Sequence, residues 1–119
     1  MVEQVLLGVD NDSETRAAIE RDLLRRFATD YRIVTADSPD AALAKLGADA
    51  EVAVVMAAHW LTDTTGIEFL GKCHQLYPAA KRLLLITYGD FAAGQAALRG
   101  MALGQFDHYV NKPWGRPRG

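Results

Sequence analysis

A chain of 119 residues, half of them hydrophobic, fits one compact domain with an ordinary core and leaves no room for a second. Thirteen basic against fifteen acidic side chains give a net charge of -2, so there is no global field to hold a polyanion, and nucleic acid is not expected as a direct partner. No apolar run approaches the ~20 residues that cross a bilayer, and the N-terminus MVEQVLLGVD carries an acid where a secretory signal carries basic residues. These features predict a cytoplasmic protein with no membrane partner. The single cysteine, Cys73, excludes an internal disulfide and a Cys-only metal site and reads as a packing residue on a helix.

In chain order, 4–9 is a short apolar run stopped by Asp10-Asn11-Asp12, which predicts a buried strand and a polar loop. Asp12 or Ser13 caps a helix over 14–28, whose apolar face is Ala18, Ile19, Leu23, Leu24 and Phe27. Arg16, Arg21, Arg25 and Arg26 alternate with acids on the rest of that helix and read as a solvated face. A second strand over 31–36 leads to Ser38-Pro39, serine as cap and proline at the first helical position.

Residues 52–57 are continuously apolar and predict a third strand covered on both faces. The loop AHWLTDTT then leads to a helix over 66–77, stopped by Pro78. A fourth strand, RLLLIT, spans 82–87. The helix expected over 91–103 carries Gly94 and Gly100, each costing about 1 kcal/mol relative to alanine, and is expected to be short or mobile. A fifth strand over 106–110 holds His108 and Tyr109 and is followed by Lys112-Pro113-Trp114.

Five strands alternating with four helices predict an α/β, doubly wound, five-stranded parallel sheet in a single domain over 1–114, with GRPRG (115–119) as a loop or linker start. A helix covering the last strand is not found in the sequence, which predicts a truncated chain and leaves apolar surface beside the first and fifth strands for Trp114, another chain or a following segment to cover. Ligands in such sheets sit at the carboxyl ends of the strands, and here those ends bring together Asp10, Asn11, Ala58, Thr87 and Lys112.

This order and spacing resemble the receiver domain of two-component response regulators, the CheY-like family with its flavodoxin-like fold, over essentially the whole chain. DHYVNKPW is the most specific piece. ERDLLRRF, ADSPDAALAKL and TGIEFL make it look most like receiver modules found ahead of thioredoxin-reductase-like or other output domains. The resemblance implies two acids after the first strand holding Mg²⁺, an aspartate ending the third strand that accepts a phosphoryl group, and a hydroxyl and a lysine that bind its oxygens. Metal and lysine neutralise charge on the transferring group, and the carboxylate is the nucleophile.

Carried over, Asp10 matches the first acid, Thr87 the hydroxyl, Lys112 the lysine and Tyr109 the switch aromatic. Asn11 replaces the second acid, which leaves Asp10 alone as a weak Mg²⁺ ligand. Ala58 occupies the acceptor position, because the acceptor lies eight residues before the glycine that opens the third helix, here Gly66. Leu61, Thr62 and Thr65 fall where the family often shows Met, Pro and a small polar residue.

The expectation is therefore a degenerate, non-enzymatic receiver. Lys112 would pair with Asp10, and the domain would contact a protein partner, a histidine kinase or a fused output domain, through the fourth helix and fifth strand. Two alternatives stand beside it: phosphorylation on Asp63 or anion binding between Thr87 and Lys112, and a structural domain that homodimerises through the uncovered fifth-strand face. His59 should point away from the pocket, as an exposed or packed histidine.

Overall fold

The computed structural model describes residues 3–114, so the tail at 115–119 lies outside the described residues. Its elements are β1 (Gln4–Val9), α1 (Ser13–Phe27), β2 (Arg32–Ala36), α2 (Pro39–Leu46), β3 (Glu51–Ala58), α3 (Gly66–Leu76), β4 (Lys81–Thr87), α4 (Phe91–Ala102) and β5 (His108–Lys112). The strands form one parallel sheet in the order β2-β1-β3-β4-β5. The order reverses direction after β1, which places a crevice at the carboxyl ends of β1 and β3.

Strand alternation sorts the core into two layers. Val5, Leu7 and Val9 of β1, Val55 and Ala57 of β3 and Leu84 and Ile86 of β4 meet α2, α3 and α4 through Ala42, Leu46, Phe69, Leu70, Cys73, Ala93 and Ala97. On the opposite face Leu6, Met56 and Leu85 meet Ile19 and Leu23 of α1. Trp114 packs at the edge of that second layer and donates its Nε1 to Asp22 Oδ2 at 3.2 Å.

Helix starts follow their caps: the side chains of Asp12, Ser38, Thr65 and Asp90 each accept a backbone N–H from the first turn of α1, α2, α3 and α4.

Three elements differ from the sequence expectation. Helix α1 buries Thr15, Ile19 and Leu23, while Leu24 and Phe27 are 46% and 39% exposed. A single stripe at four-residue spacing meets the sheet, and the neighbouring apolar residues lie beside it. Helix α4 is twelve residues long despite its glycines. Gly100 is required there, because a Cβ would strike the ring of Phe106, so small size offsets poor propensity. The fifth strand starts two residues later than expected: Phe106 is buried under α4, and the ladder runs from Leu83↔His108 to Thr87↔Lys112.

Candidate functional site at the strand ends

Asp10 lies one residue past β1 and is completely buried. Every polar group it carries is engaged. Its N–H donates to the Ala36 carbonyl (3.1 Å), its own carbonyl accepts from Arg16 Nη1 (2.9 Å), and Oδ1 accepts from the Asp12 N–H (2.9 Å). Oδ2 accepts from Lys112 Nζ at 2.9 Å, and the lysine side chain is only 15% exposed. A carboxylate out of water needs such a partner, and the two charges hold each other across opposite ends of the chain.

Ala58 ends β3, the strand that pairs with β1, and is 2% exposed. Its position is fixed by Gly66: the Gly66 N–H donates to the His59 carbonyl at 2.7 Å, and a Cβ at 66 would fall on the Ala58 carbonyl oxygen and crowd Leu84 Cδ1. The eight-residue spacing is thus a close backbone approach that only glycine permits. Position 58, where the resemblance expects the acceptor, carries a methyl group, which has no nucleophilic atom.

Thr87 ends β4 exposed and in register with Lys112. Both line a cavity of about 490 Å³ together with Asp12, Glu14, Thr15 and Trp114. Asn11 is exposed. Asp63 lies elsewhere, in a groove of about 380 Å³ between the start of α2 and α3, lined by Ser38, Asp40, Glu68 and Lys72 among others. Tyr109 is 42% exposed on β5 and borders a third groove, of about 400 Å³, with Thr87, Phe91 and Leu98.

The donor set does not fit the divalent cation that the fold implies. Among the described residues no group of three or more His, Cys, Asp or Glu side chains is placed to hold a metal. The Lys112 ammonium sits on the Asp10 oxygen that would face the ion, Asn11 contributes no charge, and Asp12 is drawn to Thr15, whose hydroxyl lowers its pKa.

His59 is 5% exposed, packs edge-on against Trp60 with ring centroids 4.4 Å apart, and its Nδ1 has no partner among the described residues. Burial lowers its pKa, opposed by the charge of Asp90. It is absent from the cavity lining that contains Thr87 and Lys112.

Two contacts were not anticipated from sequence. Arg16, read as part of a solvated face, anchors the Asp10 loop. Trp60 donates Nε1 to Asp90 Oδ2 at 2.7 Å, tying the loop after β3 to the cap of α4. The Ala93 N–H and then Trp60 hold the Asp90 carboxyl below its usual pKa. Asp90 three residues before Ala93 is a legible cap, but nothing in the sequence pairs positions 60 and 90.

The structure is a doubly wound α/β domain with an acid, a hydroxyl and a lysine at strand ends. No protein-family model matches the chain. It is 28% identical over 109 residues to the hydrogenase transcriptional regulatory protein HoxA of Cupriavidus necator, covering 92% of this chain and 21% of that protein. It is 36% identical over 67 residues to the two-component response regulator ORR7 of rice (Oryza sativa subsp. japonica), covering 56% of this chain and 30% of that protein. The signal receiver domain of an HD domain-containing protein from Pseudomonas fluorescens superposes with a TM-score of 0.70 at 27% identity, over 96% of this chain and 79% of that one. The chain has the fold of the CheY-like response-regulator receiver domains, and the curated proteins it is similar to include two-component response regulators. It spans less than half the length of the curated relatives it matches.

Proposed function

We propose that this is a pseudo-receiver: a regulatory module that has the receiver fold but takes up no phosphoryl group, and acts by contact with a protein partner. The observation that carries the reading is the pairing of Lys112 with Asp10 beside Ala58. In a phosphoryl-accepting site the lysine neutralises charge arriving on the acceptor carboxylate. Here it neutralises a resident carboxylate, so one arrangement is favoured at all times and the domain's output is constitutive. The partner is a histidine kinase or an output domain, fused or separate, and the surface that meets it is formed by α4, β5 and the loop after β5.

The test is the intact mass of the protein after incubation with acetyl phosphate and Mg²⁺. The native chain should gain no phosphoryl group, whereas the double variant Ala58→Asp/Asn11→Asp, which restores the acceptor and the second acid, should gain one. A phosphoryl adduct on the native chain would overturn the reading and return Asp63 or another side chain to consideration.

A further inference from the structure

The loop between β3 and α3 is held by its own backbone and by a side-chain tie to α4. The His59 N–H donates to the Leu85 carbonyl at 2.8 Å and its carbonyl accepts from Gly66, so position 59 is fixed to β4 and to the start of α3. Beyond it Trp60 bridges Thr65, and the Leu61 N–H donates to the Thr64 carbonyl at 3.1 Å. The tie to α4 is Trp60 Nε1 on Asp90 Oδ2, while Asp90 Oδ1 accepts from the Ala93 N–H at 3.0 Å and caps the helix.

Beside that tie lies a titratable ring with an unmet hydrogen bond. His59 Nδ1 is buried and has no partner among the described residues. The ring lies edge-on to the indole of Trp60, whose N–H occupies an Asp90 oxygen. A neutral imidazole tolerates one unpaired nitrogen at some cost. An imidazolium, with both nitrogens donating, requires an acceptor or water.

The charged groups on the elements around the ring are Asp90 at the cap of α4, Glu68 in the first turn of α3, Asp63 in the loop and the Lys112–Asp10 pair at the strand ends. Asp90 is the one whose charge bears on the ring. Glu68 Oε1 accepts from Thr64 Oγ1 at 2.8 Å, Asp63 lines the groove against α2, and Lys112 and Asp10 neutralise each other.

We infer that the Asp90 carboxylate is a two-position acceptor: it holds the Trp60 indole while His59 is neutral and the His59 imidazolium once the ring has taken a proton from solvent, so that acid releases the loop at 60–65 from the start of α4. An ionised donor bonds a carboxylate about twice as strongly as a neutral one, which lets the imidazolium displace the indole. Oδ1 stays with Ala93, so the helix keeps its cap while the loop lets go. That loop carries Thr62, Asp63 and Thr64 into the groove against α2, and its release changes a surface as well as a contact. Burial sets the exchange below the ordinary histidine value of about 6.5. Asp90 is held below the usual carboxylate range and stays ionised there. The inference is independent of the proposed function, since His59, Trp60 and Asp90 are absent from the cavity that contains Thr87 and Lys112.

Nuclear magnetic resonance on the full chain tests this by following the His59 ring and both indole N–H groups as pH falls. Trp114, whose Nε1 donates to Asp22, is the internal reference. Hydrogen exchange at the Trp60 indole should accelerate roughly tenfold relative to Trp114 as His59 takes its proton. Asp90→Asn keeps a capping side chain but loses the charge, and there the ratio should stay flat. Trp60→Phe keeps an aromatic ring beside His59 and removes the competing donor, so the proton affinity of His59 should rise roughly threefold, because competition for one acceptor is reciprocal. A flat ratio in the native chain while His59 titrates, an equal response in Asp90→Asn, or a His59 affinity unmoved by Trp60→Phe would overturn the inference. None of these results bears on whether the pocket takes up phosphate.

Discussion

The strand-end pocket and the outer face of α4 lie on the same half of the molecule and are built on opposite terms. In the pocket the fully buried Asp10 has every partner it needs from within the chain: its carboxylate accepts from Lys112 and the Asp12 N–H, and its backbone bonds Arg16 and the Ala36 carbonyl. On α4 the large side chains have no intramolecular partner, and the helix meets its own sheet through alanine and glycine. In one region polar groups are satisfied from within the chain; in the other, large apolar side chains stand exposed. The difference teaches that a site at the strand ends can be closed by internal ion pairing while a helix nearby keeps an apolar, exposed face.

The sharpest way to break this contrast is to unlock the pocket. Lys112→Ala strands the buried Asp10 charge and should destabilise the fold by roughly 3 kcal/mol, at the low end for a buried pair because the lysine is partly exposed. Replacing both partners, Asp10→Asn with Lys112→Met, should recover most of it. Urea unfolding of the single and double variants measures both numbers, and equal midpoints for native and Lys112→Ala proteins would show that the pocket is not locked. Next in size, Gly66→Ala should cost about 2 kcal/mol, because its Cβ meets the Ala58 carbonyl and the backbone after β3 must shift. The Trp60 fluorescence should change with it if the loop to Asp90 moves as well.

The smallest effect concerns His59. Its folded pKa is depressed, so the neutral form is favoured on folding. The corresponding stability is fully present above the ordinary histidine value of about 6.5 and is lost as pH falls through the lower folded value. Native protein should therefore lose stability over that window more steeply than His59→Phe, with Asp90 as the opposing charge that moderates the slope. Parallel curves for the two proteins would show that the buried ring carries no proton linkage.

Much of the fold was legible because strand and helix periods alternate cleanly and the caps are ordinary ones. Ser38-Pro39 opens α2, and Pro78 follows the end of α3. Residue-level packing was less legible. Leu24 and Phe27 obey the helix period yet miss the sheet, since a periodic pattern does not reveal how wide a stripe the sheet can receive. Gly100 reads as a helix weakness until Phe106, six residues later, is seen beneath it. Strand β5 was misplaced because Phe106 is strand-like in composition and serves as a plug. At the strand ends, Asp10 and Thr87 were placed by the apolar runs that lead to them, whereas Ala58 and Lys112 were placed by the resemblance, through the eight residues to Gly66 and the DHYVNKPW stretch. The Arg16 and Trp60 contacts join residues with no shared pattern and required coordinates.

The Gly66 contact separates two properties that change at different speeds. Glycine is demanded there by the carbonyl oxygen of residue 58, a backbone atom that every amino acid supplies, and not by the methyl group of Ala58. The turn would thus keep its shape whatever side chain occupied position 58. A substitution at position 58 therefore changes the chemistry of the strand end without rebuilding the loop that follows it.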